Sequence, residues 1–163
     1  MAYRIGDSVE IYGKEEGFEG SYYVAKVLSV KKKKVLVEYK TLLTDDESCW
    51  LREMVHCNQI RPRPPEIRVS EFRVDDEVDA YDNDGWWVGK ITRIDESKYY
   101  AQFDGNGGGG GGGSGVAGPF SQVRVIDESK YYVHFPCGDE IGYSFSQLRV
   151  HQEWKDGRWV SSR

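Results

Sequence analysis

Cysteine is scarce in this chain of 163 residues: Cys49, Cys57 and Cys137 are the whole complement. An odd number with no CxxC spacing disfavours a disulfide framework and a structural zinc site, so the thiols are expected to be reduced and no metal is expected. His56 beside Cys57 does not restore a metal site, because neighbours on a strand point to opposite faces. Positive charge is short as well. Twenty-two Lys and Arg against 27 Asp and Glu leave a net charge of -5. Phosphate binding draws on clustered Lys and Arg, so direct nucleic-acid binding is disfavoured and a basic partner suits the surface better. No apolar run is long enough to cross a bilayer. Met1 to Ile11 mixes Arg, Asp and Glu among its apolar residues, unlike a signal peptide, and an intracellular setting is expected. Also missing are a Ser/His/Asp order, a metal-spaced His/Cys set and a phosphate-cradling glycine loop ahead of a helix. A non-catalytic protein with no cofactor or small-molecule substrate is expected. The adjacent pairs Asp45-Asp46 and Asp75-Asp76 read as solvated turns.

What the chain does have is aromatics, 13% of it, set among short strand signals. Ser8 to Tyr12, Tyr22 to Val30, Lys34 to Tyr39, Val78 to Tyr81, Trp87 to Ile94 and Tyr99 to Phe103 are rich in Val, Ile, Tyr and Trp and bounded by Gly, Asp or Lys. No amphipathic helix of useful length is legible. Arg61-Pro62-Arg63-Pro64-Pro65 cannot continue a helix or a central strand, since proline lacks the backbone donor and restrains its predecessor. It divides the chain into residues 1–65 and 66–163, each an all-β unit with the strand spacing of a small barrel. The Lys31 to Lys34 run falls where a hairpin turn is expected.

The second unit contains a duplication. Ile94-Asp95-Glu96-Ser97-Lys98-Tyr99-Tyr100 recurs as Ile126-Asp127-Glu128-Ser129-Lys130-Tyr131-Tyr132, and Phe120-Ser121-Gln122-Val123-Arg124-Val125 recurs as Phe145-Ser146-Gln147-Leu148-Arg149-Val150. A barrel has places for one copy only, and either copy has a claim on them. Residues 104–118, with the Gly107 to Gly113 tract, have few side chains to bury and a high ordering cost, and are expected to form a disordered insertion.

Val37-Glu38-Tyr39-Lys40-Thr41-Leu42-Leu43-Thr44-Asp45-Asp46-Glu47, Leu51-Arg52-Glu53 and Ile60 to Pro65 resemble the first member of a plant tandem Agenet pair. Asp76-Glu77-Val78-Asp79-Ala80-Tyr81, Asp84-Gly85-Trp86-Trp87-Val88-Gly89-Lys90 and Phe145 to Val160 resemble the second, with the duplicated segment as a departure from the pattern. The resemblance implies two Tudor-like, SH3-like bent barrels packed together. It implies a nuclear chromatin reader of methylated lysine, most similar to plant heterochromatin proteins that recognise histone H3 dimethylated at lysine nine. An RNA-binding or protein scaffold role is the alternative.

A dimethylated ammonium keeps its charge but sheds most of its hydrogen-bond donors, so aromatic faces compete with water for it at about 0.5 to 2 kcal/mol per ring. A carboxylate can accept its one remaining N–H. In Tudor-like barrels the cage comes from the end of the first strand, the start of the second and the region beyond the third. Those places hold Tyr12, Phe18, Tyr22 or Tyr23, and Tyr39, with Asp45, Asp46 and Glu47 as the acidic side. Tyr22 and Tyr23 must face opposite ways, one core and one cage. Second-rank candidates in the other barrel are Tyr81, Trp86 or Trp87, and Phe103 or Phe135, with Asp82 and Asp84. Asp75, Asp76, Glu77 and Asp79 are expected to meet the basic side chains of a peptide. Trp50, Trp154 and Trp159 read as core or inter-domain packing, and His56 and His134 as ordinary histidines.

Overall fold

The computed structural model describes residues 3–103 and 122–161, without the side chains of Phe103 and Gln122. The expected disordered insertion at 104–118 lies outside the described residues. Strands account for most of the described residues, joined by turns and two short 3-10 segments, and no α-helix occurs among them.

The first barrel is built from β1 (Ser8–Tyr12), β2 (Ser21–Lys31), β3 (Lys34–Leu43), β4 (Trp50–His56) and β5 (Ile60–Pro62). Val9, Ile11, Tyr23, Ala25, Val27, Val35, Val37, Tyr39, Val55 and Ile60 point inward to form its core. Lys31 pairs with Lys34 across a tight turn in which Lys32 takes a positive φ of 47°, so the lysine run is a hairpin tip. The second barrel repeats the plan with β6 (Glu77–Asp82), β7 (Gly85–Asp95), β10 (Lys130–His134), β11 (Glu140–Tyr143) and β12 (Leu148–Val150) around Val78, Ala80, Ile91, Tyr131, Val133 and Phe135. Both barrels bulge at the same point, Leu28 of β2 in one and Thr92 of β7 in the other, each passed over in the register with the next strand.

The second copy of the duplicated strand fills the barrel: β10 lies against β7 with Val133 opposite Ile91, and both are fully buried. The first copy, β8 (Lys98–Phe103), forms a separate two-stranded ribbon with β9 (Gln122–Asp127). That ribbon leaves Tyr100, Val123 and Val125 more than half exposed. A last hairpin, β13 (Gln152–Lys155) with β14 (Arg158–Ser161), packs Trp154 against Trp159 with ring centres 5.1 Å apart and the planes tilted by 55°. Trp50, expected to be packed, is 49% exposed at the start of β4.

The barrels join edge to edge. Ser21 pairs with Trp87 and Tyr22 with Trp86, which merges the two sheets into one of ten strands. Gly85 makes the approach possible, since a Cβ there would stand 2.7 Å from the Tyr23 ring. Trp87 packs against both cores and donates its indole N–H to the Asp82 carbonyl at 2.8 Å.

Beneath this seam lies a buried ionic cluster. Glu10, 0% exposed, sits opposite Arg61 in the β1–β5 register, and Asp79, 1% exposed, sits opposite Arg149 in the β6–β12 register. Arg61 donates to Glu10 Oε1 from Nε at 3.0 Å and Nη2 at 2.7 Å, and from Nη1 to the Gln152 carbonyl at 2.9 Å. Arg149 crosses from the other barrel, donating to both Glu10 oxygens at 2.8 and 3.0 Å and to Asp79 at 2.8 Å. His151 completes the Asp79 side, its Nδ1 2.7 Å from Oδ1. Burying ions costs several kcal/mol each, and only this dense pairing offsets it. The proline-containing segment is therefore a fixed seam, with Arg61 at its centre.

Candidate functional site

Two hollows open, one in each barrel, and the Trp87 indole lines the second of them. Pocket one, of about 430 Å³, lies in the first barrel among Tyr12, Phe18, Tyr23 and Tyr39, with Glu15 and Glu53 at its edge. Pocket two, of about the same 430 Å³, lies in the second barrel among Trp87, Phe135 and Tyr143, with Glu19, Asp82 and Asp139.

The β1–β2 loop is folded so as to present Phe18. Gly13 donates its N–H to the Ser21 carbonyl at 3.1 Å and Phe18 donates to Glu15 at 2.9 Å, while the Phe18 carbonyl accepts from both the N–H and the hydroxyl of the fully buried Ser21. Gly13 permits this, because a Cβ there would meet the Phe18 carbonyl at 2.6 Å. Phe18 itself is left 45% exposed, stacked on Trp87 with ring centres 6.4 Å apart and an angle of 28°. Tyr23 meets both Tyr39 and Trp87 edge-on and is tilted against Phe18, so Phe18, Tyr23 and Tyr39 line the hollow at differing angles. Tyr39 donates its hydroxyl to Glu53 at 2.6 Å. Burial first, and then that bond to Glu53, push the phenol far above its ordinary pKa and keep the proton on it. Two cations also line pocket one, and each has a partner of its own: Lys14 donates to Asn58, and Arg52 pairs with Glu38 at 2.8 Å.

The alternation of β2 resolves the Tyr22 and Tyr23 choice. Tyr23 faces the pocket. Tyr22 faces the seam, with the Arg61 guanidinium 3.4 Å from its ring centre, and does not line the pocket. Tyr12 is shared, lining the hollow while touching Tyr22 at 5.4 Å.

The acidic side differs from expectation. Asp45, Asp46 and Glu47 occupy an exposed turn and line neither hollow. Asp46 accepts from the hydroxyls of Thr44 and Ser48 and the Ser48 N–H, which lowers its carboxyl to about 2, and Glu47 holds a positive φ of 58°. These residues tie a turn. The carboxylates at pocket one are Glu53, on β4, and Glu15, in the loop. Asp79 cannot meet a peptide, because it is sealed in the seam. Asp75 and Asp76 shape the entry to β6: the Asp75 N–H donates to Ile91, and the Asp76 side chain accepts from the Arg73 N–H at 2.8 Å. Glu77 is exposed at the start of β6.

Of the second-barrel candidates, Trp87, Asp82 and Phe135 come together at pocket two. Trp86 lies under the Arg149 guanidinium at 4.1 Å, with Tyr81 edge-on to it at 5.1 Å, so both belong to the seam side. The Phe103 side chain is outside the described residues. Tyr143, which the sequence reading did not single out, donates to Asp82 at 2.7 Å and stands edge-on to Phe135. Its pKa is raised by burial and then by Asp82, the same device as Tyr39 with Glu53. Asp84 caps the first barrel instead, its carbonyl accepting from Thr41 at 2.7 Å.

The Agenet domain profile matches residues 6–65. Over 99% of its length the chain is 37% identical to an Arabidopsis thaliana protein called AGENET DOMAIN (AGD)-CONTAINING P1, and over 93% it is 30% identical to the Arabidopsis DUF724 domain-containing protein 3. It spans only 26% and 19% of the lengths of those relatives. Among solved structures, Arabidopsis AGDP1 AGD34 matches with a TM-score of 0.72 and 28% identity, covering 96% of this chain and 88% of that one. The ADCP1 tandem Agenet domain 3-4 matches with a TM-score of 0.68 and 27% identity, covering 98% and 87%. Taken with two merged five-stranded barrels, these likenesses place the chain in the Agenet family, as a tandem pair of Tudor-like domains of the plant kind.

Proposed function

We propose that the chain is a non-catalytic chromatin reader whose pocket one receives a methylated lysine of a histone tail, most simply histone H3 dimethylated at lysine nine. The observation that carries this is the hollow itself: a half-exposed Phe18 beside the Tyr23 and Tyr39 rings, with the Glu53 carboxylate at its edge. Ring faces at several angles hold a diffuse alkylated cation better than a compact hydrated one, and each is worth about 0.5 to 2 kcal/mol. Glu53 already accepts from Tyr39 and retains acceptor capacity for the single N–H of a dimethylammonium.

An extended basic tail carries further Lys and Arg side chains. Pocket two, with Glu19, Asp82 and Asp139 and no basic residue among its lining, supplies the negative charge assigned from sequence to the buried Asp79. Such a protein acts in the nucleus, at silenced heterochromatin.

Calorimetric titration with unmodified, mono-, di- and trimethylated H3 tail peptides tests this. Dimethylation is expected to tighten binding roughly tenfold, as two or more ring contacts would give. Equal affinity for all four peptides would reject the reading. A titration with single-stranded RNA across salt concentrations separates the alternative, since an RNA reader loses affinity steeply as salt rises.

A further inference from the structure

The two copies of the duplicated strand meet at one point in the fold. Ser97, between β7 and β8, donates its N–H to the Ser129 hydroxyl at 3.1 Å, and Glu128, between β9 and β10, donates to the Ser97 carbonyl at 2.7 Å. Four strands thus leave a single junction, paired as β7 with β10 and β8 with β9. At that junction Asp95 faces Lys130 and Ile94 faces Tyr131, while Asp127 faces Lys98 and Ile126 faces Tyr99. Exchanging partners would set Asp95 against Lys98 and Ile94 against Tyr99, the same residue types in the same register.

We propose that β8 and β10 are interchangeable partners of β7, so that the second barrel has two closed forms, and only the form with β10 carries pocket two. The exchange needs no new chemistry at the junction, and β8 follows β7 after only Glu96 and Ser97, the connection of a short hairpin. The closing strand of the first copy matches too. β9 carries Val123-Arg124-Val125 where β12 carries Leu148-Arg149-Val150, so a guanidinium is on hand for Glu10 and Asp79 in either form.

What separates the copies is local. Val133 is fully buried against Ile91, and the first copy has Ala101 at that place. The smaller side chain leaves a void in the core, which makes the β10 form the dominant one. Counting back from the repeated Phe-Ser-Gln, the first copy also has Ser114 and Gly118 where the second has Asp139 and Tyr143. With β8 in place, Phe135 and Tyr143 leave Trp87, the Tyr143 bond to Asp82 is lost, and pocket two is dismantled. Pocket one keeps Phe18, Tyr23 and Tyr39. The duplication thereby acts as a switch on one pocket of the pair.

Disulfide trapping tests the exchange in the full chain with Cys49, Cys57 and Cys137 changed to Ser. Lys90 faces His134 in the described register and would face Gln102 after exchange. K90C/H134C is expected to cross-link readily. K90C/Q102C is expected to give a slower intramolecular disulfide, and V133A, which removes the core difference at Ile91, to raise its yield roughly tenfold. A101V, which supplies the missing methyl groups without touching β10, is expected to raise it as well and guards against misfolding of V133A. No intramolecular K90C/Q102C product, a product of dimer mass only, or a yield unmoved by V133A and A101V would each overturn the proposal.

Discussion

The two barrels are built to one plan but use it differently. Each puts a carboxylate on its first strand opposite an arginine on its last, Glu10 with Arg61 and Asp79 with Arg149, and each lays that arginine over an aromatic ring of its second strand, Tyr22 or Trp86. The symmetry breaks at Arg149, which reaches across to Glu10, whereas Arg61 makes no bond to Asp79 among those described. It breaks again at the pockets. The first keeps a half-exposed ring, Phe18, and the second, walled by buried Phe135 and Tyr143, gathers three carboxylates. The same backbone thus offers one mainly aromatic and one mainly acidic hollow, with Trp87 lining the second and packed against Phe18 and Tyr23 of the first.

The asymmetry of the seam is the easiest to break. Glu10→Ala strands Arg61 and Arg149 together and is expected to cost about 3–5 kcal/mol in urea unfolding. Asp79→Ala is expected to cost less, because Arg149 keeps Glu10; equal losses would mean that Glu10 is not the bridge. The pockets come next. Phe18→Ala is expected to cost about 0.5–2 kcal/mol of methylated-peptide binding while leaving the unfolding midpoint nearly unchanged, since the ring packs on one side only. Phe135→Ala should do the reverse in kind and lower stability first. Tyr39→Phe and Tyr143→Phe remove matched bonds to Glu53 and Asp82, each expected to cost about 1 kcal/mol of stability. Of the two, only Tyr39→Phe is expected to alter the preference between di- and trimethylated peptides, because it changes how Glu53 is shared.

The smallest effect is on pH. Where the second barrel has His151 next to the paired strand, the first has Arg63, 3.4 Å from Glu10. Burial pulls the His151 pKa down, but the bond to Asp79 and its charge, then Glu153, outweigh it and hold the value above the ordinary 6.5. A raised folded pKa contributes stability that is fully present below about 6.5 and lost as pH rises through the folded value. Unfolding free energy measured from pH 6 to 9 is expected to fall, and His151→Gln to flatten the slope.

Much of this was legible from residue patterns. The alternation in Ser8 to Tyr12 and Lys34 to Tyr39 marks strands because apolar residues every second position can reach only one face. The resemblance to Tudor-like barrels pointed to Tyr12, Phe18, Tyr22 or Tyr23, and Tyr39, and all of these but Tyr22 line pocket one. The acids did not, because the Asp45-Asp46-Glu47 run is the denser signal and yet serves a turn, whereas Glu53 is a lone carboxylate aimed inward by the β4 register. The seam was hidden for a different reason: Glu10 and Arg149 lie at opposite ends of the chain, and no local pattern marks a charge that will be buried. Asp79 therefore looked like a surface acid. Tyr143 became visible only once the second copy, with Val133 rather than Ala101, was seen to fill the barrel.

The most direct test of the account is where a methylated lysine sits. With a peptide carrying ¹³C-labelled dimethyl-lysine, the account predicts nuclear Overhauser contacts from the N-methyl groups to the Phe18, Tyr23 and Tyr39 rings. Contacts to Phe135 and Tyr143 instead, or to no ring at all, would contradict it.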